Sequence, residues 1–469
     1  MKLVAFFVRH QTSLIRMLPQ YHALQESGLC EPIIVIVDER AFDLAEKLRS
    51  DGIRVEMVSE ELRQDPLLIT EKRFQECISR LPKVLAAILR SNAIAHSFLI
   101  DGWRCQTVVR LYKKSLQAWL RYLEKNRIDL AMVPGDRELG AFPPLLKACK
   151  LMQIPVVIST SNIPTRDSLA ANRVGEKKFK ANFAQCPPLW NMLIRLRFPQ
   201  QVAETVHGRM LFSPGWLVWA LARLGMLSKT PWIQGGGNSD FVLLNSEMRC
   251  ETYVSEGVDP GKVVQIGDLS LDTLHASLAN RGALRQEIRQ KKNGDLGKVC
   301  LFAIPIYAEH NYLSWDLHLS TLRACAVKLQ ASGMAVVLSL HPRSRKENYL
   351  FLETDFGFIF ASKPLNEILP AADIFICGNS STIEWSILLG QPTINLDYAG
   401  ISDGAFLEYP GVLSASGAEE FSLCIEQVLR DYEQLKQAQL DKAETISIFD
   451  GNSKQRFLAF VTKQLVQLS

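Results

Sequence analysis

The chain has 469 residues, a formal charge of +4, 47% hydrophobic and 22% charged residues. That length exceeds one ordinary core and that balance is globular, so extensive disorder is excluded and about two to three domains are expected. A small net charge without any long Lys/Arg run makes no case for nucleic acid.

The opening residues hold an apolar run too short for a signal peptide and read as a first strand over 3–8. A helical pattern over 13–27 ends at Gly28, and 32–37 reads as a second buried strand. Helical segments fill 60–125. A strand over 129–133 runs into Pro134-Gly135-Asp136-Arg137-Glu138, and a helix over 143–152 leads to a strand over 154–159. This β-α-β alternation implies a parallel sheet covered by helices on both faces.

Residues 186–232 break the alternation. They carry Trp190, Trp216, Trp219 and Trp232, and an apolar run over 210–222 that Pro214-Gly215 and Arg223 interrupt before it is long enough to span a bilayer. One reading is an interfacial helical hairpin that docks on the cytoplasmic membrane face through Leu211, Phe212, Trp216, Leu217 and Trp219. The other is a pair of core helices against the N-terminal sheet.

From about residue 240 the alternation restarts, with strands expected over 241–246, 263–268, 298–304, 334–340, 371–377 and 393–397. The Gly235-Gly236-Gly237-Asn238 stretch marks the expected boundary, giving domains 1–239 and 240–469. The ten cysteines are scattered singly, without C-x-x-C spacing. They read as free thiols of a cytoplasmic protein, with neither disulfides nor a structural metal.

The chemistry gathers where apolar strands stop. The strand over 371–377 ends in Gly378-Asn379-Ser380-Ser381-Thr382, just before a short helical pattern that includes Glu384. Backbone N–H groups at such a turn favour an anion such as a diphosphate. A second reading makes Ser381 and Glu384 a capping box. The strand over 334–340 ends in His341-Pro342-Arg343-Ser344-Arg345, where an imidazole and two guanidinium groups suit phosphate; alternatively His341 is a strand-end histidine satisfied by a carbonyl. In the N-terminal half, Asp136 with Glu138 is the best-placed general base and His10, at the end of the first strand, a weaker one. Asp136 also reads as a turn or N-cap aspartate after Pro-Gly. Arg137 and Arg166 suit an anionic acceptor. No D-x-D stands at a strand end, so a metal-independent reaction is the default.

With two α/β halves, a His-Pro at one strand end and a Ser-Ser turn at the next, the chain resembles the GT-B superfamily of nucleotide-sugar enzymes. Its C-terminal pattern is most similar to bacterial surface-polysaccharide transferases with HP and SS motifs, of the sialyltransferase-like, Kdo-transferase-like and glycerophosphotransferase-like kinds. The resemblance implies two Rossmann-like domains facing each other across a cleft. It implies that His341 and Arg343 contact the donor phosphate, that Ser380 and Ser381 bind the leaving phosphate, and that Glu384 reaches the ribose. Arg345, Gly378, Asn379, Thr382 and, from the other half, His10 complete the expected binding set. The implied activity is glycosyl transfer from a nucleotide-sugar donor to a glycan or lipid-linked acceptor, without a cofactor.

A more distant resemblance is to hydrolysing UDP-N-acetylglucosamine 2-epimerases, whose G-T-R-P-E-x-I-K-M-x-P is echoed in part by residues 9–19. Gln11 and Ser13 stand where that family has arginine and glutamate, Pro134-Gly135-Asp136 stands for its H-G-D, and Thr160 falls where an acidic residue is expected. A non-catalytic sugar-nucleotide-binding subunit is the third reading.

Overall fold

The computed structural model describes residues 1–38, 42–84, 96–137, 140–159, 169, 188–205, 208–292, 297–341, 343–401, 404 and 406–467. The chain forms two compact units, one comprising Met1–Leu244, Arg249–Ile266 and Gln455–Ser469 and the other Asn245–Met248 and Gly267–Lys454.

The first unit is built on strands β1 (Leu3–Val8), β2 (Glu31–Ile36), β3 (Val55–Met57), β4 (Leu130–Val133) and β5 (Val156–Ser159). A separate antiparallel hairpin pairs β6 (Val202–Thr205) with β7 (Gly208–Leu211), and β8 (Phe241–Leu244) and β9 (Val263–Gln265) then rejoin the main sheet. Its order is β3-β2-β1-β4-β5-β8-β9, with every pairing parallel. Buried on both faces, the inner strands β1, β2, β4, β5 and β8 are near-continuous apolar runs, which is why they stand out in the sequence.

The second unit holds β10 (Val299–Ala303), β11 (Ala335–Ser339), β12 (Ile359–Phe360), β13 (Ile374–Cys377), β14 (Thr393–Leu396) and β15 (Val412–Ala415). Their order is β12-β11-β10-β13-β14-β15, again all parallel. Both sheets therefore run 3-2-1-4-5-6 in their own strand ranks, the Rossmann order, with the first unit adding a seventh strand. In each, the chain changes direction between the first and fourth strands, so the carboxyl ends of β1/β4 and of β10/β13 flank a crevice.

Two expectations change. The division falls elsewhere than 239/240, because β8 pairs with β5 and β9 with β8, extending the first sheet, and the last helix also belongs to that unit, with Phe460 packed edge-on to Phe241 at 5.3 Å. The tryptophan-rich segment turns inward. Helix Gly215–Leu224 packs against helix Gly102–Asn126, burying Trp216 and Leu217 among Val108, Val109 and Tyr112. Trp219 meets Phe198 and Trp232 meets Phe212, with Leu211 and Phe212 buried as well. Of the side chains assigned to a bilayer interface, Leu211, Phe212, Trp216 and Leu217 are thus part of the protein core and Trp219 is half-buried against it. Among the described residues, no helix is long and apolar enough to cross a membrane.

Candidate functional site

The second unit carries a cavity of about 770 Å³ over the carboxyl ends of its central strands. Four strand ends contribute to its wall: β10 through Pro305 and Tyr307, β11 through His341, β12 through Lys363, and β13 through Gly378 and Ser380. Each lies where an apolar strand leaves the sheet and its polar sequel becomes accessible. The crevice between β10 and β13 is where a sheet of this order takes ligands.

Tyr307 ties the crevice together. Its hydroxyl donates to the Leu396 carbonyl at 2.9 Å and accepts the Asn379 N–H at 3.3 Å, joining the ends of β10, β13 and β14. This closeness requires glycine at 378, since a Cβ there would lie 2.7 Å from the Tyr307 hydroxyl and 3.0 Å from Pro305 Cβ. Beyond it, the Ser380 hydroxyl faces that of Thr382 at 2.9 Å and accepts the Thr382 N–H at 3.3 Å. The helix that follows, Ile383–Leu388, has six residues and Thr382 as its N-cap without a side-chain cap bond, so Ser381 and Glu384 do not form the capping box.

His341 stands at the exposed mouth. Its Nδ1 accepts the Arg343 backbone N–H at 3.1 Å, so the neutral ring carries its hydrogen on Nε2 and can donate it to a ligand. Partial burial first, then the neighbouring Arg343 and His310, hold its pKa below the ordinary histidine value, while Glu309 works in the opposite direction. The Arg343 guanidinium lies 3.4 Å from His310 Nε2.

The structure brings His341, Gly378, Asn379, Ser380 and Thr382 to one wall. It does not bring Arg343, Arg345, Ser381 or Glu384 to it: both arginines and Ser381 are exposed, and none of the four lines the cavity. Pro342 lies outside the described residues. In place of the arginines the wall has Lys346 and Lys363, with the Lys346 ammonium 4.5 Å above the Phe360 ring. Tyr307, His310 and both lysines escaped the sequence reading. The signal that finds them is strand order, which makes the end of β10 central and gathers the ends of β11 and β12 beside it.

In the first unit the expected base has another task. Asp136, 5% exposed, accepts the N–H groups of Gly235 at 2.9 Å and Gly237 at 2.8 Å and the Ser239 hydroxyl at 2.7 Å. A Cβ at position 237 would come within 2.7 Å of the Asp136 carbonyl, so glycine there lets the two loops close. Both carboxylate oxygens are engaged and shielded, which removes Asp136 from the position a general base needs. Nearby, Arg9 binds Asp38 at 3.3 Å and Asp65 at 3.4 Å, and Arg137 donates to the Trp232 carbonyl at 2.9 Å. His10, half-buried, precedes helix Gln11–Ser27 at the end of β1. Glu138, Thr160 and Arg166 lie outside the described residues. Among those described, no three His, Cys, Asp or Glu side chains gather as a metal site.

No family model and no curated protein matches the chain. Solved structures similar to it include the UDP-GlcNAc 2-epimerase from Neisseria meningitidis bound to UDP-GlcNAc, at 14% identity and TM-score 0.48, covering 100% of both chains. The spinosyn forosaminyltransferase SpnP is similar at 12% identity and TM-score 0.49 over 99% of each chain. A glycosyltransferase from Rickettsia africae is similar at 12% identity and TM-score 0.46, over 100% of this chain and 99% of that one. At these scores the likenesses carry no argument about activity.

Proposed function

We infer that the chain is a nucleotide-sugar enzyme of the glycosyltransferase kind, with the nucleotide phosphate held in the cavity of the second unit. One observation carries this reading: the cavity at the β10/β13 crevice is lined by Lys346, Lys363, His310 and His341 and, among the described residues, by no carboxylate. Such a wall favours an anionic ligand, and its cations oppose the charge that develops on a departing phosphate. The Nε2–H of a neutral His341 and the Ser380 and Thr382 hydroxyls supply directed hydrogen bonds to the same oxygens. The sugar is transferred to a glycan or lipid-linked acceptor of the cell surface.

The test is calorimetry with CMP, CDP, UDP and their sugar conjugates on the parent, His341→Ala and Lys346→Met/Lys363→Met variants. Each change is expected to weaken binding by about tenfold or more, the loss of one to two charge-assisted hydrogen bonds. Parent-like binding by all variants would sink the assignment. Nucleotide release only in the presence of acceptor supports transfer, whereas tight binding without release leaves a sugar-nucleotide-binding subunit.

A further inference from the structure

Behind the cavity wall lies a buried polar chain that the proposed chemistry does not use. Tyr398 Oη lies 2.8 Å from His318 Nδ1, His318 Nε2 lies 3.1 Å from Tyr349 Oη, and the Tyr349 hydroxyl donates to Glu309 Oε1 at 2.7 Å. His318 and Tyr349 are both 0% exposed. One direction of donation satisfies the run with a neutral imidazole: Tyr398 donates to Nδ1, Nε2–H to Tyr349, and Tyr349 to the carboxylate. A second donor reaches Glu309 Oε1 from the turn that follows His341, the Ser344 hydroxyl at 2.6 Å. The turn is closed internally by Ser344 N–H to the His341 carbonyl at 2.8 Å.

We propose that Glu309 is a positioning residue, which latches Ser344 to the end of β10 and so, through the Ser344 N–H to His341 carbonyl bond, fixes where His341 presents its Nε2–H. The proposal rests on the reading of the cavity as a nucleotide site. The Tyr398-His318-Tyr349 run has a defined part in it, for it anchors the carboxylate from behind and directs its accepting oxygen at the turn. Although burial opposes its charge, the hydrogen bonds from Ser344 and Tyr349 hold Glu309 below the usual carboxylate range, so it stays an acceptor near neutrality. Arg343 and His310 face His341 from its own turn and from the end of β10, and form the second contact between these two turns.

Two measurements on the full chain decide the matter. The first is the titration of His341 by NMR without ligand. Glu309→Gln removes a negative charge that favours the imidazolium, so the midpoint falls below the parent's. Ser344→Ala keeps that charge but releases the turn, so the ring gains solvent and the midpoint rises toward the ordinary value. Ser344→Thr restores the parent behaviour. The second is UDP and CDP binding by calorimetry, where Ser344→Ala weakens the parent by about tenfold, one hydrogen bond's worth of placement, yet changes nothing further in a His341→Ala background. A parent-like midpoint in Ser344→Ala, or an equal loss of binding with and without His341, overturns the latch. If the parent binds neither nucleotide, the nucleotide reading fails, while the opposite shifts of the midpoint still decide on Glu309.

Discussion

The two units share a strand order and differ in what they do with the same edge. At the carboxyl ends of β1 and β4, charged groups are taken up by the protein itself: Asp136 clasps the Gly235–Ser239 loop through neutral donors, and Arg9 is held between Asp38 and Asp65. At the carboxyl ends of β10 and β13 the closing contacts are made by a tyrosine hydroxyl and a glycine, and Lys346 and Lys363 line a cavity, Lys346 approaching Glu353 only at 3.9 Å. Topology sets where a site can form. Whether one forms depends on whether the polar groups delivered there are consumed by the protein itself.

The largest test of this contrast is Asp136→Ala. It leaves the buried Gly235 N–H, the half-buried Gly237 N–H and the Ser239 hydroxyl without their acceptor, at about 1–3 kcal/mol per fully buried group, so a loss of several kcal/mol in urea unfolding is expected, with faster hydrogen exchange at 235–239. Undiminished stability with collapsed turnover would instead return Asp136 to the role of base. Gly378→Ala comes next. The added methyl must displace the Tyr307 hydroxyl or Pro305, costing about 1–3 kcal/mol as overpacking does, and nucleotide binding should weaken with it. Full binding and parent-like stability would show the β13 turn to be looser than its contacts imply.

The smallest effect is on pH dependence. Burial, before any other cause, holds both His318 and His341 below the ordinary histidine value. An unfolded chain binds these protons near pH ~6.5 while the folded unit does not. Their contribution is therefore full above that pH and is lost as pH falls through it toward the folded midpoints. Urea midpoints of the second unit should drop between pH 7.5 and 5.5, and His341→Gln should remove part of the drop. A drop of the same size in the variant would count against His341.

Much of the fold was legible because parallel strands buried on both faces are uninterrupted apolar runs, as in 299–303, 335–339 and 374–377. The division between units was not. Phe241–Leu244 looks like the first strand of a new sheet and is the sixth of the old one, since a strand's own pattern does not say which edge it joins. The same holds for the site. His341 and Ser380 announce themselves at strand ends, whereas Lys346 and Lys363 follow a turn and a strand of two residues, and only the sheet order brings them in. The fate of Asp136 was hidden for a related reason: its partners are about a hundred residues away in the sequence.

The return of the C-terminal helix Ser453–Gln467 to the first unit fixes an order of events during synthesis. The first sheet is completed by residues made far later than its strands, since Phe241 waits for Phe460 and the Ile266 carbonyl for the guanidinium of Arg456. The second unit, lying almost wholly between, can complete itself while the first is still open. A nascent chain halted before residue 455 thus exposes the helix-docking face at β8 and the end of β9, and it is there that a chaperone has most to cover.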